Sequence, residues 1–424
     1  MVSPEPMRQM LGLALRGATL ASRFLLIFAL AKLMEPAEVG LFGLLTVTVG
    51  YALLVLGFDF HMHAVRNLVA ADRSQWSALL RDQGVFYGLA YLVLMPVGLL
   101  LFALELLPWT LALWFFPLLA LEHIAQEFHR VLLGISEPLW ASVVLFLRWG
   151  LWALVAVPWM WLDPAQRRLD FVLLAWLVGV ACACVLAASR LHGLNRVALT
   201  RAVDWAWIWR GVRVAAPFLV GSLSLRAINT IDRYWIEGLG GLEVLAAYVL
   251  FGGMGNAVTS LLEATVFSFI GPALMDAANR GDRQAFDALM RRLARQTLAV
   301  TAVLACVVLV IARPLLGWLQ HPVYVEHLPL LYWTMLAVAL SALGVIPQYG
   351  LYARRMDRPV ILGHVLTLPV FAGAVWCLEG TLREAAIPAA LASAFLFLLL
   401  AKWSALRRCG PLPTVREPDS VASA

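Results

Sequence analysis

Residues 223–236 read LSLRAINTIDRYWI, and residues 13–26 read LALRGATLASRFLL. Both lie in apolar runs long enough to cross a bilayer, which takes about 20 residues. Leu13, Leu15, Arg16 and Arg23 recur as Leu223, Leu225, Arg226 and Arg233, and Phe24 matches Tyr234 in kind. The offset is 210, almost half of the 424-residue chain. Leucine matches mean little in such a composition. An arginine at mid-membrane costs at least a few kcal/mol, so two at one spacing in two spans are a feature in their own right. A fainter echo lies at offset 221, where QEFHRVLLGISEP (126–138) parallels PQYGLYARRMDRP (347–359). The pattern predicts two six-span halves related by a parallel repeat.

The rest of the sequence agrees with that frame. Hydrophobic residues make up 62% and charged residues 14%, and the mean hydropathy is +0.83. Soluble domains are roughly 45–50% apolar and about 25% charged, so a large soluble enzyme is excluded. Twelve spans are predicted, at 10–33, 39–60, 84–105, 109–131, 138–162, 170–190, 211–234, 243–271, 293–317, 328–352, 359–379 and 385–406. The fourth and seventh are the least apolar, because both carry charge. The expected fold is an all-α polytopic membrane protein, with about twelve transmembrane helices in two repeated six-helix lobes around a central cavity. The expected organisation is an N-terminal lobe (1–190), a cytoplasmic linker (191–210), a C-terminal lobe (211–406) and a disordered cytoplasmic tail (407–424).

A net charge of +6 and a pI near 9.3 raise nucleic acid as a partner. The basic residues instead cluster in short loops, which is an orientation signal and not a recognition surface. The rich loops are 190–213 (Arg190, Arg196, Arg201, Arg210, Arg213), 280–295 (Arg280, Arg283, Arg291, Arg292, Arg295) and 354–358. Lys402, Arg407, Arg408 and Arg416 are counted with the tail. This bias places both termini in the cytoplasm and leaves only short loops opposite. The start, MVSPEPMRQM, lacks a cleavable signal layout, so the first run is expected to stay as a span. Cys182, Cys184, Cys306, Cys377 and Cys409 form no metal or disulfide pattern.

Charges inside the spans are the candidate site. A spacing of seven is about 20° short of two helical turns, so Arg16 and Arg23 share a face about 10 Å apart along the axis. Arg226 and Arg233 do the same, with Asn229 and Thr230 between them. Asp232 lies about 100° aside, placed to pair with a neighbouring helix. In the fourth span His123, Glu127 and Arg130 fall on one face, with Gln126 beside them. Arg148 stands alone in VVLFLRWGLWAL. Asp59, Glu263 and His364 complete the set. Such groups face a bundle interior or a wet cavity. The alternative reading makes them buried ion pairs, or helix-end snorkels as at Arg66, Arg190 and Arg313. A guanidinium-lined cavity suits an anion, above all phosphate, which arginine grips with two parallel hydrogen bonds. The 17 Trp do not discriminate between interface anchors and sugar-stacking residues. No Walker loop, HExxH or GxSxG motif is present. The expectation is therefore a non-enzyme with no cofactor and no metal.

Twelve spans, two homologous halves and intramembrane arginines resemble the polysaccharide-transporter branch of the MOP (multidrug, oligosaccharidyl-lipid, polysaccharide) superfamily, the O-antigen and exopolysaccharide flippases. RFLLIFALAKLMEPAEVGLFGLLTVTVGYALLVLGF (23–58) is similar to that family's opening hairpin. NTIDRYWIEGLGGLEVLAAYVLFGG (229–253) resembles its seventh–eighth hairpin. The resemblance implies alternating access of two lobes and a cargo of undecaprenyl-pyrophosphate-linked oligosaccharide, carried across a bacterial inner membrane for O-antigen, capsule or exopolysaccharide synthesis. It implies membrane lipids and other glycan-assembly proteins as partners. By position, Arg16, Arg23, Arg148, Arg226 and Arg233 would line the cationic cavity. Asp232, Glu127, Asp59, Glu263, His123 and His364 are the ion-coupling candidates, with Asp232 first because Ser22 takes its place in the first half. Two other readings stand beside it: a multidrug or metabolite cation antiporter of the same superfamily, and a membrane glycan polymerase or ligase. The chain departs from the lipid II flippases in having twelve spans instead of fourteen, and in being nearly lysine-free.

Overall fold

A computed structural model describes residues 4–191 and 202–409, which are helical with no strand among them. The predicted disordered tail from 410 onward, with Arg416, lies outside the described residues, as do Arg196 and Arg201 of the linker. Helices α1 (Pro4–Leu33) and α2 (Pro36–Gly57) form the opening hairpin. Pro36 starts α2, where a missing N–H costs nothing. A short α3 (His61–Ala70) precedes α4 (Arg73–Gly98), which continues past a break at Leu99 as α5 (Leu100–Ala103). Then come α6 (Ala112–Gly134) and α7 (Pro138–Phe146). A π turn, Leu147–Leu151, joins α7 to α8 (Trp152–Leu162), and α9 (Leu169–Leu191) comes next.

The long α10 (Trp205–Leu262) is broken at Gly241, whose φ of 77° belongs to the region that glycine adopts without a Cβ clash. A second π turn, Glu263–Phe267, leads into α11 (Ser268–Asn279). The chain ends with α12 (Arg283–Leu319), the short α13 (Pro322–Glu326), α14 (Leu328–Ala353), α15 (Asp357–Leu382) and α16 (Ala386–Arg408).

Nine stretches among the described residues are long and apolar enough to cross a membrane. Two of them, Trp205–Asn279 with 75 residues and Asp357–Arg408 with 52, each hold two crossings. The charged α6 supplies one more, which makes twelve. The predicted fourth and seventh spans are both helices. The seventh begins earlier than expected, at Trp205, inside the predicted linker. Asp204 is the reason: its Oδ1 accepts the Trp207 N–H at 2.8 Å and caps the first turn. Its own N–H donates to Asp82 on α4 at 3.4 Å.

By contacts the chain falls into two compact units, Met1–Glu237 with Gly241–Val249, and Gly238–Gly240 with Leu250–Ala424. In the first unit α6 packs on α2 and α9, while α1 packs on α7 and α8. The start of α10 joins this unit through Trp207 and Ile208, which pack with Phe60, Ala64 and Tyr87. In the second unit α16 packs on both α14 and α15, and α12 packs on α11 and α14. Its core runs through Leu262, Phe267, Ile270, Leu293 and Ile346.

Glycines on α2 permit a close approach of the chain beyond the α10 break. A Cβ on Gly40 would overlap the Leu242 carbonyl, and one on Gly43 would overlap Val249. Gly40→Ala is therefore expected to destabilise by about 1–3 kcal/mol, as overpacking does. Gly238, with open space around its Cβ position, is expected to accept alanine with no loss. Thermal midpoints of the two purified variants check the contrast.

Candidate functional site

The first unit gathers nine of the eleven charged or histidine candidates. On α1, Arg23 places its guanidinium 4.6 Å from the centre of the Trp149 ring, within reach of the charges of Glu122, Arg148 and Arg226. Two turns earlier on the same face, the Arg16 Nε donates to Ser142 Oγ at 3.2 Å. The first half of α10 runs antiparallel along α2. Gly211 meets Phe60, Arg226 lies against Gly50, and Tyr234 shares a 2.5 Å hydrogen bond with Thr48. A Cβ on Gly50 would stand 2.6 Å from the Arg226 guanidinium, so a larger residue there would make that guanidinium shift. Arg226 in turn feels the charge of Arg233. The result is a row, Arg148–Arg23–Arg226–Arg233, each within electrostatic reach of the next. Arg16, Arg23 and Arg226 are exposed, and none pairs with a carboxylate among the described residues.

The buried carboxylates are engaged elsewhere. Glu122 on α6 is fully buried, accepting from Arg148 Nε and from Trp176 Nε1 at 2.6 Å. Gln126 takes the Arg148 Nη2 at 3.2 Å. The reading of Arg148 as a lone charge is thus corrected: the π turn aims it at α6. The same turn's freed carbonyl, that of Arg148, accepts the Trp152 indole N–H at 3.0 Å. Asp232, 2% exposed, accepts from the Tyr248 hydroxyl at 2.7 Å and from Arg233 Nη1 at 3.4 Å. Its partner lies beyond the Gly241 break, in the predicted eighth span, so the bond staples the break. The Arg233 Nε is buried with no hydrogen-bond partner among the described residues.

A second polar cluster sits where α2 and α6 end. Glu127 accepts from Arg130, from Tyr87 Oη at 2.8 Å and from Gln83 Nε2 at 2.9 Å. His123 Nδ1 shares a 2.9 Å hydrogen bond with Tyr91 Oη, while its Nε2 is buried without a partner. Asp59 comes after Phe58 in a turn where both residues have positive φ, 52° and 49°. Its Oδ1 is 4.0 Å from His61 Nδ1, and its Oδ2 has no partner. Burial, and next the Arg130 charge, push His61 down to about 4 against a smaller opposing pull from Asp59. The other two candidates belong to the second unit. Glu263 is exposed in its π turn, and His364 is half-buried on α15.

Residues without a sequence signal supply much of this geometry. Glu122 is masked by its neighbour His123, although it shares a face with Gln126 at i+4. Gly50 and Trp149 are a glycine and one more tryptophan in apolar runs. Lys402, counted with the tail, is instead 3% exposed inside α16, where its Nζ donates to Gln348 Oε1 at 2.6 Å. Its place on the buried face, and not its distance from the helix end, decides this. No group of three or more His, Cys, Asp or Glu among the described residues is arranged to hold a metal ion.

No protein-family model and no curated protein sequence matches the chain. Solved structures do. A multidrug resistance MATE family transporter of the MOP superfamily in its inward-facing conformation superposes with a TM-score of 0.76 at 12% identity, covering 91% of this chain and 93% of that one. The outward-facing conformation of a multidrug resistance MATE family transporter gives 0.58 at 14%, over 95% and 93%. A MOP superfamily transporter from Pyrococcus furiosus, described as having a binding pocket of reverse polarity that suggests a different function, gives 0.59 at 13%, over 95% and 93%. The chain has the all-helical, two-lobed, twelve-crossing fold of these transporters.

The site geometry has two measurable consequences. Glu122→Ala strands a buried guanidinium and is expected to cost about 3–5 kcal/mol, visible as lost folded protein. The double variant Glu122→Leu, Arg148→Met recovers most of it, because neither charge remains. For His61 the sign is fixed by its depressed value. The unfolded chain takes up its proton below about pH 6.5, while the folded chain resists until about 4. Stability is therefore lost as pH falls through that window. His61→Asn is expected to flatten the loss, measured as thermal midpoints from pH 7 to pH 5.

Proposed function

We propose that the chain is a transporter that moves a lipid-linked, anionic oligosaccharide across the bacterial inner membrane by alternating access. The cargo class is undecaprenyl-pyrophosphate-linked oligosaccharide for O-antigen, capsule or exopolysaccharide synthesis. Both termini lie in the cytoplasm, as the loop arginines predict. The observation that carries the reading is the set of three arginines, Arg16, Arg23 and Arg226, whose guanidiniums have no carboxylate partner among the described residues. Guanidiniums facing lipid are costly, so these face water. In that setting their unpaired donors match the oxygens of a pyrophosphate. Arg148 and Arg233 hold their own carboxylates and act by setting the potential of the row.

Two further features support this reading. An apolar cleft of about 400 Å³ in the same unit, lined by Leu56, Phe58, Phe86, Trp205, Ile208 and Trp209 among others, suits a hydrocarbon chain. A transporter of the same fold is described with a binding pocket of reverse polarity, so the fold does not fix the polarity of its pocket.

Asp59 favours a second reading, multidrug or metabolite cation antiport. It is a buried carboxylate without an arginine partner among the described residues. Other proteins of this fold are described as multidrug resistance transporters.

The two readings separate in one experiment. Arg23→Gln with Arg226→Gln is expected to reduce glycan display at least about tenfold, the scale of one lost charge-assisted contact, with membrane-inserted protein unchanged. Arg226→Lys keeps the charge but not the paired donors and is expected to be intermediate. Normal display by the double variant defeats the proposal. A change in cationic dye efflux, with display intact, supports the antiport reading.

A further inference from the structure

Lys402 is a buried charge without a counter-charge among the described residues. The chain carries 32 Lys and Arg residues, and only Lys32 and Lys402 are lysine. Arginine stays protonated in any protein setting, whereas lysine gives up its proton readily when buried. A chain that uses arginine almost everywhere has kept lysine at this one enclosed position of the second unit.

Among the described residues of that unit, Lys402 is the one buried charged side chain. The ammonium has three donors, and one is matched, by Gln348 Oε1 at 2.6 Å. Gln348 in turn donates to Tyr352 Oη at 3.2 Å. From α15, His364 lies within reach of the Lys402 charge. Asp357, at the start of α15, acts on Tyr352. Arg354, at the end of α14, turns its guanidinium to Gly350 O and the Phe286 ring. Among the described residues no carboxylate lies within 4.0 Å of Lys402; the ion pairs of the unit are the exposed Arg280–Asp276 and Arg283–Asp287.

The internal repeat allows a comparison at the amide, although the cation does not recur with it: Arg130 aligns with Leu351. At the offset of 221 that aligns QEFHRVLLGISEP with PQYGLYARRMDRP, Gln348 corresponds to Glu127. In the first unit that position is a carboxylate whose charge balances Arg130. In the second it is a neutral amide, and the cation beside it is left uncompensated. A buried ammonium in that state is relieved by losing its proton.

We infer that Lys402, held by Gln348 and flanked by His364, is a proton-exchange site of the second unit. In the loaded state Nζ is an ammonium. On release one N–H bond breaks, the electron pair stays on Nζ, and the proton passes to water. The neutral amine still accepts or donates one hydrogen bond to the Gln348 amide, so the helices need not part. Coupling of this exchange to cargo movement rests on the transport reading above; the exchange itself does not.

The near-absence of lysine makes the test direct. Protein labelled with 13C at lysine Cε and carrying Lys32→Arg gives one resonance, that of Lys402, in detergent or nanodiscs. It is expected to titrate below the ordinary lysine range near 10.4. Gln348→Glu, which restores the carboxylate of the first unit, is expected to move the midpoint upward by about one pH unit or more. Should Lys32→Arg fail to fold, Lys402→Arg assigns the two resonances of the wild type by difference. A Lys402 resonance that titrates like free lysine, or that Gln348→Glu leaves in place, overturns the inference.

Proteoliposomes then separate it from the transport reading. With lipid-linked oligosaccharide pyrophosphate as cargo, Lys402→Arg fixes the charge and is expected to abolish the response to an imposed pH gradient. If Lys402→Arg responds like the wild type, coupling at this site is refuted while transport stands. If the wild type moves no cargo, the transport reading fails and the titration still stands.

Discussion

Hydrocarbon does not tolerate an uncompensated charge, and the buried carboxylates Glu122, Glu127 and Asp232 obey that constraint, each accepting from an arginine. Its fullest expression is the Glu122–Arg148 pair. The carboxylate has no exposed surface and accepts from a guanidinium and an indole. The amide of Gln126 occupies a further guanidinium donor. A pair of this kind adds little net stability, because desolvation offsets much of its attraction. Its consequence is geometric: α6, α9 and the π turn before α8 are fixed in register, since any slip leaves a bare charge. Arg23 is then placed by stacking on Trp149, the residue next to Arg148.

The two π turns belong to the same logic. One extra residue in a helical turn rotates the rest of the helix and frees backbone groups, so such turns persist where a side chain has to be aimed. The first presents Arg148 to Glu122, and Trp152 takes up its carbonyl. The second carries Glu263 on an exposed face. The first therefore serves an internal pair, and the second leaves its charge available.

The fold was legible in the sequence because span length and hydropathy are nearly sufficient conditions for a transmembrane helix, and the structure has the twelve crossings that those runs predict. The charged α6 is recognisable for the opposite reason: His123, Glu127 and Arg130 share a face, which is the pattern of a helix with something to pair. The pairing itself was not legible. Periodicity says which face a residue occupies, not which helix lies opposite. Arg148 therefore reads as solitary, and for Asp232 the pattern points to a neighbouring span without showing that the partner is Tyr248 across the Gly241 break. The break that makes this possible needs a φ of 77° at Gly241, and the run IEGLGGLE (236–243) gives no hint of which of its three glycines will turn. Lys402 reads as part of the tail because a basic residue near a helix end normally snorkels, and nothing in its sequence neighbours shows that this turn faces α14 and α15.

The repeat conserves positions more than chemistry. Arg16 and Arg23 correspond to Arg226 and Arg233, but Ser22 stands opposite Asp232, and Glu127 opposite Gln348. Each replacement changes charge while leaving the helix in place. Asp232 adds a carboxylate beside an arginine that lacks one in the first copy. Gln348 removes one beside a lysine. At these aligned positions charge is balanced differently: a carboxylate meets an arginine in the first stretch, and an amide meets a lysine in the second. A device that responds to protons needs such an imbalance: a charge already neutralised by an arginine or a carboxylate has no reason to change state within the physiological range, whereas an enclosed amine facing an amide does.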